Sequence, residues 1–346
     1  MYKVEENCLT LDEIKEAREV VMKSELRVRR TPCFPIKSGA VSSLFSESEA
    51  LEKSDWSEVW LKCENMQNTG SFKIRGVASQ FHKAAEYLRE KNESSPSLVT
   101  MSAGNYGKSY SYAARRLGLS ATVLMPDTAP VSRAELLQSQ GINVERLASS
   151  ELVAGVNRHQ EQGKVFLHPF DDISLIAGHA SLGLEILEDV PHADLVVVCC
   201  GGGGLLAGVG AAVQQVKSSC RVVGVEPDTA NTMEQSLKAG RAVRDNTARS
   251  VAAGLAPPFA GENCFNHVQQ FSDGVLTVTE PQLLAATQLA FNNGLVVEPS
   301  GAAGLAAFIN QKIVRRDSEK TVVIILTGGN VSPEELVSFS KLRRDE

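Results

Sequence analysis

From residue 57 onward, short runs rich in β-branched residues alternate with helical stretches, and that alternation leaves few folds open to the chain. The runs lie at 57–64, 97–102, 121–126, 142–147, 164–169, 193–200, 220–226, 274–279, 294–298 and 321–327. Helix-length segments separate most of them, which is the βαβ spacing of an α/β protein with open, mostly parallel sheets and helices on both faces. Leu195-Val196-Val197-Val198 and Val322-Val323-Ile324-Ile325-Leu326 are apolar without a break, as strands covered on both faces must be. The series from 97 to 171 reads as a small lobe inserted in a large domain made of 1–96 and 172–346. Ahead of these runs, Thr10-Leu11-Asp12-Glu13 has the form of a capping box, opening a helix that reaches about Lys23. Thr31-Pro32 then forces extended chain. The stretch 240–272, rich in Arg, Asn, Ala, Pro and Gly, reads as a long surface or interface loop.

Composition excludes several classes of function. A net charge of −6 supplies no basic field for nucleic acid. No segment approaches the roughly 18 uninterrupted apolar residues of a membrane helix. Acidic residues precede any apolar run at the N-terminus, so no secretory signal is expected. The seven cysteines (Cys8, Cys33, Cys63, Cys199, Cys200, Cys220 and Cys264) are scattered, with no C-x-x-C pair, which predicts a reduced, cytosolic protein without zinc or disulfides. His82 and His159 lie on polar helical stretches and are expected at the surface.

Ser71-Phe72-Lys73-Ile74-Arg75-Gly76 places one lysine where a helix begins, after the polar turn Gln67-Asn68-Thr69-Gly70, which can cap it. The apolar stripe Val77, Phe81, Ala85 and Leu88 continues that helix. An ammonium there faces the positive end of the helix macrodipole. A free lysine, with a pKa near 10.4, is neutral at pH 7 about once in two thousand molecules. A site that disfavours the charge therefore suits a lysine acting as an amine or Schiff base. Taken alone, the same lysine reads more readily as a surface residue of an amphipathic helix.

Three strand–helix junctions add to it. Gly201-Gly202-Gly203-Gly204 follows an apolar strand and precedes a helix from Leu205 to about Gln215, so backbone N–H groups can converge on a phosphate. No G-x-G-x-x-G with a following ribose-binding acid is present, which makes a dinucleotide the weaker reading. Met101-Ser102-Ala103-Gly104-Asn105-Tyr106-Gly107 brings small and hydroxyl residues to another helix start, suited to a carboxylate or to an ordinary cap. Thr327-Gly328-Gly329-Asn330 is the third turn. All three follow strand C-termini, where open α/β sheets bind ligands.

Together these features resemble the fold-type II pyridoxal-phosphate (PLP) enzymes (tryptophan synthase β-like), within them the threonine/serine dehydratase and serine racemase group. The resemblance runs from Arg30-Thr31-Pro32 to Asn330. Its most specific stretch is Lys62-Cys63-Glu64 with Thr69-Gly70-Ser71-Phe72-Lys73-Ile74-Arg75-Gly76, joined by His168-Pro169-Phe170-Asp171-Asp172 and Ile176-Ala177-Gly178. It implies that Lys73 is the Schiff-base lysine, that Phe72 and Asn105 contact the cofactor ring and its hydroxyl, and that Gly201, Gly202, Gly203, Gly204 and the N–H of Leu205 hold the phosphate. Gly254 and Glu298 match positions lining the ring, and Thr327 the position opposite the pyridine nitrogen. A hydroxyl there, unlike a carboxylate, does not enforce ring protonation, which favours prompt loss of a β-leaving group. Ser102, Ala103, Gly104 and Asn105 match the loop that grips the substrate carboxylate. A small amino-acid substrate, a homodimer and a 2-oxo acid product are further implications.

The departures from the group matter as much. Racemases place a serine where this chain has Ala103, and a methyl group cannot exchange protons, so elimination is expected over racemisation. Tyr106 and Lys108 replace the more usual His and Gln, and His179-Ala180-Ser181 a Gln-Gly-Thr. Some relatives bind a divalent cation after the strand ending here in Glu226-Pro227. Glu226, with oxygens of Ala230 and Thr232, would hold Mg²⁺ or Ca²⁺ weakly, or else Glu226 is a solvated acid at a strand end. Biosynthetic threonine dehydratases carry a C-terminal regulatory domain, which is not expected in a chain ending soon after Asn330. The alternatives are a racemase with side lyase activity (for serine, aspartate or hydroxyaspartate), a PLP-binding protein without catalysis, and a transferase adding a nucleophile.

Overall fold

The computed structural model describes residues 7–37, 54–90, 97–332 and 334–337. Among the described residues ten strands form two sheets. They are β1 (Cys33–Lys37), β2 (Glu58–Cys63), β3 (Ser97–Met101), β4 (Ser120–Pro126), β5 (Asn143–Leu147), β6 (Val165–Phe166), β7 (Leu195–Cys199), β8 (Arg221–Pro227), β9 (Val275–Val278) and β10 (Thr321–Leu326). One sheet has the order β1-β2-β10-β7-β8-β9, and the other has the order β5-β4-β3-β6. Every pairing is parallel except β1 with β2. All strands of the smaller sheet come from 97–166.

The helices are α1 (Leu11–Lys23), α2 (Lys73–Glu90), α3 (Asn105–Arg116), α4 (Val131–Ser139), α5 (Leu152–Glu161), α6 (Ile173–Asp189), α7 (Gly204–Val216), α8 (Thr232–Ala239), α9 (Glu262–Phe271), α10 (Glu280–Asn292) and α11 (Pro299–Ile309). The unbroken apolar strands bury both faces, as their sequences require. Val196, Val198, Val323 and Ile325 pack toward α6, α7 and α9, whereas Val197, Val322 and Ile324 pack toward α10 and α11. The capping box at Thr10 and Glu13 is formed. Among the described residues no helix is long and apolar enough to cross a membrane.

Several local expectations fail for identifiable reasons. Residues 294–298 are not a strand, because both edges of β10 are already occupied by β2 and β7. They lead instead into α11, with Glu298 at its N-cap and Pro299 in its first turn. Extended chain after Pro32 becomes the edge strand β1, where Pro35 is tolerated. The supposed loop 240–272 contains α9, with Cys264, Phe265, Val268 and Phe271 buried along one face. Its cap comes from far away. Asp171 accepts hydrogen bonds from the N–H groups of Glu262 (3.0 Å) and Cys264 (3.1 Å). The buried stripe of α2 runs through Ala84, with Ala85 half-buried. His159 is buried beside Glu145 at 3.0 Å, whereas His82 is exposed as expected.

Candidate active site

The start of α2 is held from behind by buried charge. Arg75 Nε and Nη2 each donate to Glu64 at 2.8 Å, and Nη2 and Nη1 donate to Glu185 at 2.9 and 3.1 Å. Lys62 pairs with Glu185 at 2.6 Å and Asp189 at 2.7 Å. Arg75, Glu64 and Lys62 are wholly buried. Burial pushes the Glu64 carboxyl upward, but Arg75, Thr31 and Lys62 outweigh it and hold the group below its ordinary range. The motif residues Lys62, Glu64 and Arg75 are thus scaffolding. The turn 67–70 is scaffolding too. Gln67 and Asn68 donate to the carbonyls of Arg29 (2.8 Å) and Leu26 (2.7 Å), and Thr69 bonds Ser109 at 2.9 Å, so these side chains serve other partners than the α2 amides.

Lys73, the first residue of α2, is treated differently. Its Nζ donates to the carbonyl of Pro169 at 2.8 Å and lies 5.1 Å from the Phe72 ring centroid and 5.8 Å from that of Tyr106. No carboxylate pairs with it among the described residues. Burial lowers its pKa to about 8. Desolvation therefore does what the sequence reading assigned to the helix dipole. Tyr106 is itself buried, with its hydroxyl on Gln80. His179 is fully buried with its ring centroid 4.9 Å from that of Phe72, and burial, with Lys73 nearby, holds it well below the ordinary histidine range.

The segment Pro169-Phe170 joins the lysine to the glycine loop. A Cβ on Gly202 would collide with the Phe170 ring, and one on Gly204 would stand 2.8 Å from the Phe170 carbonyl. One on Gly201 would stand 3.0 Å from the Gly254 carbonyl. Gly203 has φ +98° and caps α7 in the left-handed region. Four glycines are therefore needed here for space as well as for the turn. The first N–H groups of α7 lack intrahelical partners, and the cap contributes no side-chain acceptor, which suits a phosphate. Gly254 N–H donates to Ser300 Oγ at 3.0 Å, fixing the opposite wall.

The 102–105 loop and the turn after β10 meet on the other side. Asn105 Nδ2 donates to Glu298, and Asn330 Nδ2 donates to Asn105 Oδ1 at 2.7 Å and to the Thr69 carbonyl at 3.0 Å. Lys108 donates to Asn330 Oδ1, which closes a chain of donors running toward the carboxylate. Burial raises Glu298 to about 7, opposed by Asn105 and the charges of Arg133 and Lys108. Phe72 N–H donates to the Thr327 carbonyl at 3.0 Å, and Ser71 bridges to Gly328. The Thr327 hydroxyl is buried, 3.5 Å from the Ser300 carbonyl. Ser102 Oγ accepts from Gly107 N–H at 3.1 Å. Arg133 Nη1 donates to the Ala103 carbonyl at 3.2 Å.

Lys73, Phe72, Asn105, Glu298, Thr327, Gly254 and the four glycines therefore come together at the strand C-termini. Sequence reasoning missed the linking roles of Pro169, Phe170 and Ser300, and it missed the Arg133 contact altogether, since no local pattern marks a partner thirty residues away. Glu226 stands apart. It is buried, not solvated, and its oxygens accept from the N–H groups of Met233 and Glu234, each at 2.9 Å, capping α8. Burial raises it to about 8 despite those donors. Thr232 begins α8, and Ala230 ends the short turn before it. Among the described residues no three His, Cys, Asp or Glu side chains cluster to hold a metal. A polar cleft of about 530 Å³ opens elsewhere, beside Glu13, Asp171 and Asn266.

Comparison with known proteins agrees with this geometry. The chain is 36% identical over 327 residues to an L-threonine ammonia-lyase of Thermotoga maritima, covering 93% of this chain and 76% of that one. Maize serine racemase superposes with a TM-score of 0.82 at 28% identity, covering 96% of both chains. The serine racemase of Dictyostelium discoideum gives a TM-score of 0.79 at 30% identity, covering 94% of this chain and 99% of that one. The family described as pyridoxal-phosphate dependent enzyme matches residues 26–328. With a half-buried lysine of lowered pKa tied through Pro169 and Phe170 to a glycine loop at the sheet ends, and with residues 26–328 matched by its model, this chain belongs to the pyridoxal-phosphate dependent enzyme family.

Proposed function

We propose that the chain is a PLP-dependent ammonia-lyase that converts L-threonine or L-serine to a 2-oxo acid and ammonia. The observation that carries the reading is Lys73, an amine without a carboxylate partner among the described residues, its pKa lowered to about 8, bonded to Pro169 next to the Phe170 that packs on the glycine loop. The 36% identity to an L-threonine ammonia-lyase supports the same choice of chemistry.

Bound PLP supplies an aldehyde that condenses with the substrate amine and a ring that accepts electron density from Cα. The chain's own residues do the rest. Gly201 to Gly204 and the Leu205 N–H hold the phosphate. Phe72, Gly254 and Glu298 would border the ring, with Asn105 toward its hydroxyl and Thr327 toward its nitrogen. Ser102, Ala103, Gly104 and Asn105 orient the substrate carboxylate. Lys73, an amine that gives up its own proton near pH 8 and not near 10.5, would take the Cα proton, the β-hydroxyl would depart with a proton as water, and hydrolysis would release ammonia.

The racemase reading is favoured by the likeness to maize serine racemase and opposed by Ala103, whose methyl cannot act as the second acid or base. PLP-loaded protein incubated with each L-amino acid, scored for 2-oxo acid and D-amino acid, tests both. Oxo acid without D-isomer is expected. D-isomer formed as fast as oxo acid would refute the assignment.

Residues 97–171 are assigned to a small mobile domain and 1–96 with 172–346 to the large one. A cytoplasmic homodimer is the expected state, checked by sedimentation of purified protein and by fractionation. A divalent ion at Glu226 would have to displace two amide donors. Thermal stability indifferent to both EDTA and Mg²⁺ would dispose of it.

A further inference from the structure

The substrate loop meets a cation that the reading above leaves unused. Arg133 is half-buried in the first turn of α4, and one nitrogen donates to the Ala103 carbonyl at 3.2 Å. A guanidinium carries five N–H donors, so most of its capacity remains. Arg18, Arg30, Arg75 and Arg221 each pair with a carboxylate. Among the described residues Arg133 has no such pair.

Its position does nothing for helix stability. A cation in the first turn stands at the positive end of the α4 macrodipole, and no side chain caps that end. The dipole and the guanidinium instead add to one positive field beside Ser102, Ala103, Gly104 and Asn105. The reach of that field is visible at Glu298, whose ionised form Arg133 favours. A planar fork of unused donors in such a place matches a carboxylate.

We propose that Arg133 binds a carboxylate of the substrate, closing on the 102–105 loop from the α4 side. The inference rests on the amino-acid-substrate reading above. The carboxylate has two possible sources, the α-carboxylate common to all amino acids and the second carboxylate of a 3-hydroxyaspartate.

The test uses PLP-loaded wild type, Arg133→Met, Arg133→Gln and Arg133→Lys. L-Threonine and L-threo-3-hydroxyaspartate are titrated while the visible absorbance of the bound cofactor and the melting temperature are read. Loss of a charge-assisted pair should raise half-saturation about tenfold or more in Arg133→Met and Arg133→Gln, with partial recovery in Arg133→Lys. Weakening of both ligands assigns the α-carboxylate. Weakening of hydroxyaspartate alone assigns the second carboxylate. Half-saturation unchanged for both ligands in a folded, PLP-loaded Met or Gln variant would overturn the proposal. If wild type binds these ligands but releases no oxo acid, the lyase reading fails and Arg133 is still decided by the titration.

Discussion

Lys73 and Arg75 stand two residues apart at the start of one helix, Arg75 wholly buried and Lys73 half-buried, and their partners differ completely. Arg75 gives four hydrogen bonds to two buried carboxylates. Lys73 gives one to a carbonyl and has no counter-charge among the described residues. A buried cation with full partners stays charged, whereas one without them loses its proton more readily. The comparison teaches how one short motif divides its labour. Lys62, Glu64 and Arg75 anchor the helix, and that rigidity allows Lys73 to be held without a counter-charge among the described residues.

The sharpest way to break the comparison is to exchange the fates of the two residues. Arg75→Met strands Glu64 and Glu185 in the interior and should cost about 3–5 kcal/mol of stability in urea denaturation. Lys73→Met should leave stability unchanged or slightly raised while abolishing turnover. Equal losses from both would contradict the division of labour. Next in size is Gly203→Ala. At φ +98° with Met233 and Cys264 crowding the new methyl, it should cost about 1–3 kcal/mol and weaken PLP retention, read by dialysis and absorbance.

The lowered pKa of Lys73 makes a prediction about pH. Its amine is protonated below about 8 and neutral above, against 10.5 for an ordinary lysine. Loading of apoprotein with PLP needs the neutral amine, so its rate should rise with pH through about 8 and level off beyond. A rise continuing past pH 10 would show that burial does not act on Lys73. The smallest effect concerns Ala103. Ala103→Ser should introduce a trace of D-serine from L-serine, measured by chiral chromatography, and none at all would mean that a hydroxyl there is not enough.

The parts of the molecule legible in the sequence were those dictated by short-range physics. Unbroken apolar runs named the core strands β7 and β10, and glycine clusters after strands named junctions that the fold brings together at the strand ends. Hidden features depend on distant partners. Residues 294–298 have strand-like composition, but the sheet has no free edge beside β10. Helix α9 was obscured by its Gly- and Pro-rich approach, and its cap, Asp171, lies some 90 residues earlier. Glu226 looks like a solvated acid until α8 folds over it. Arg133 carries no local mark, because its significance lies in facing a loop thirty residues away.

The central claim is that Lys73, and no other lysine, carries the cofactor. Borohydride reduction of PLP-loaded protein, followed by mass mapping of its peptides, tests this directly. One pyridoxyl group on the peptide containing Lys73 is the predicted result. An adduct on another lysine, with Lys73 unmodified, would contradict the account.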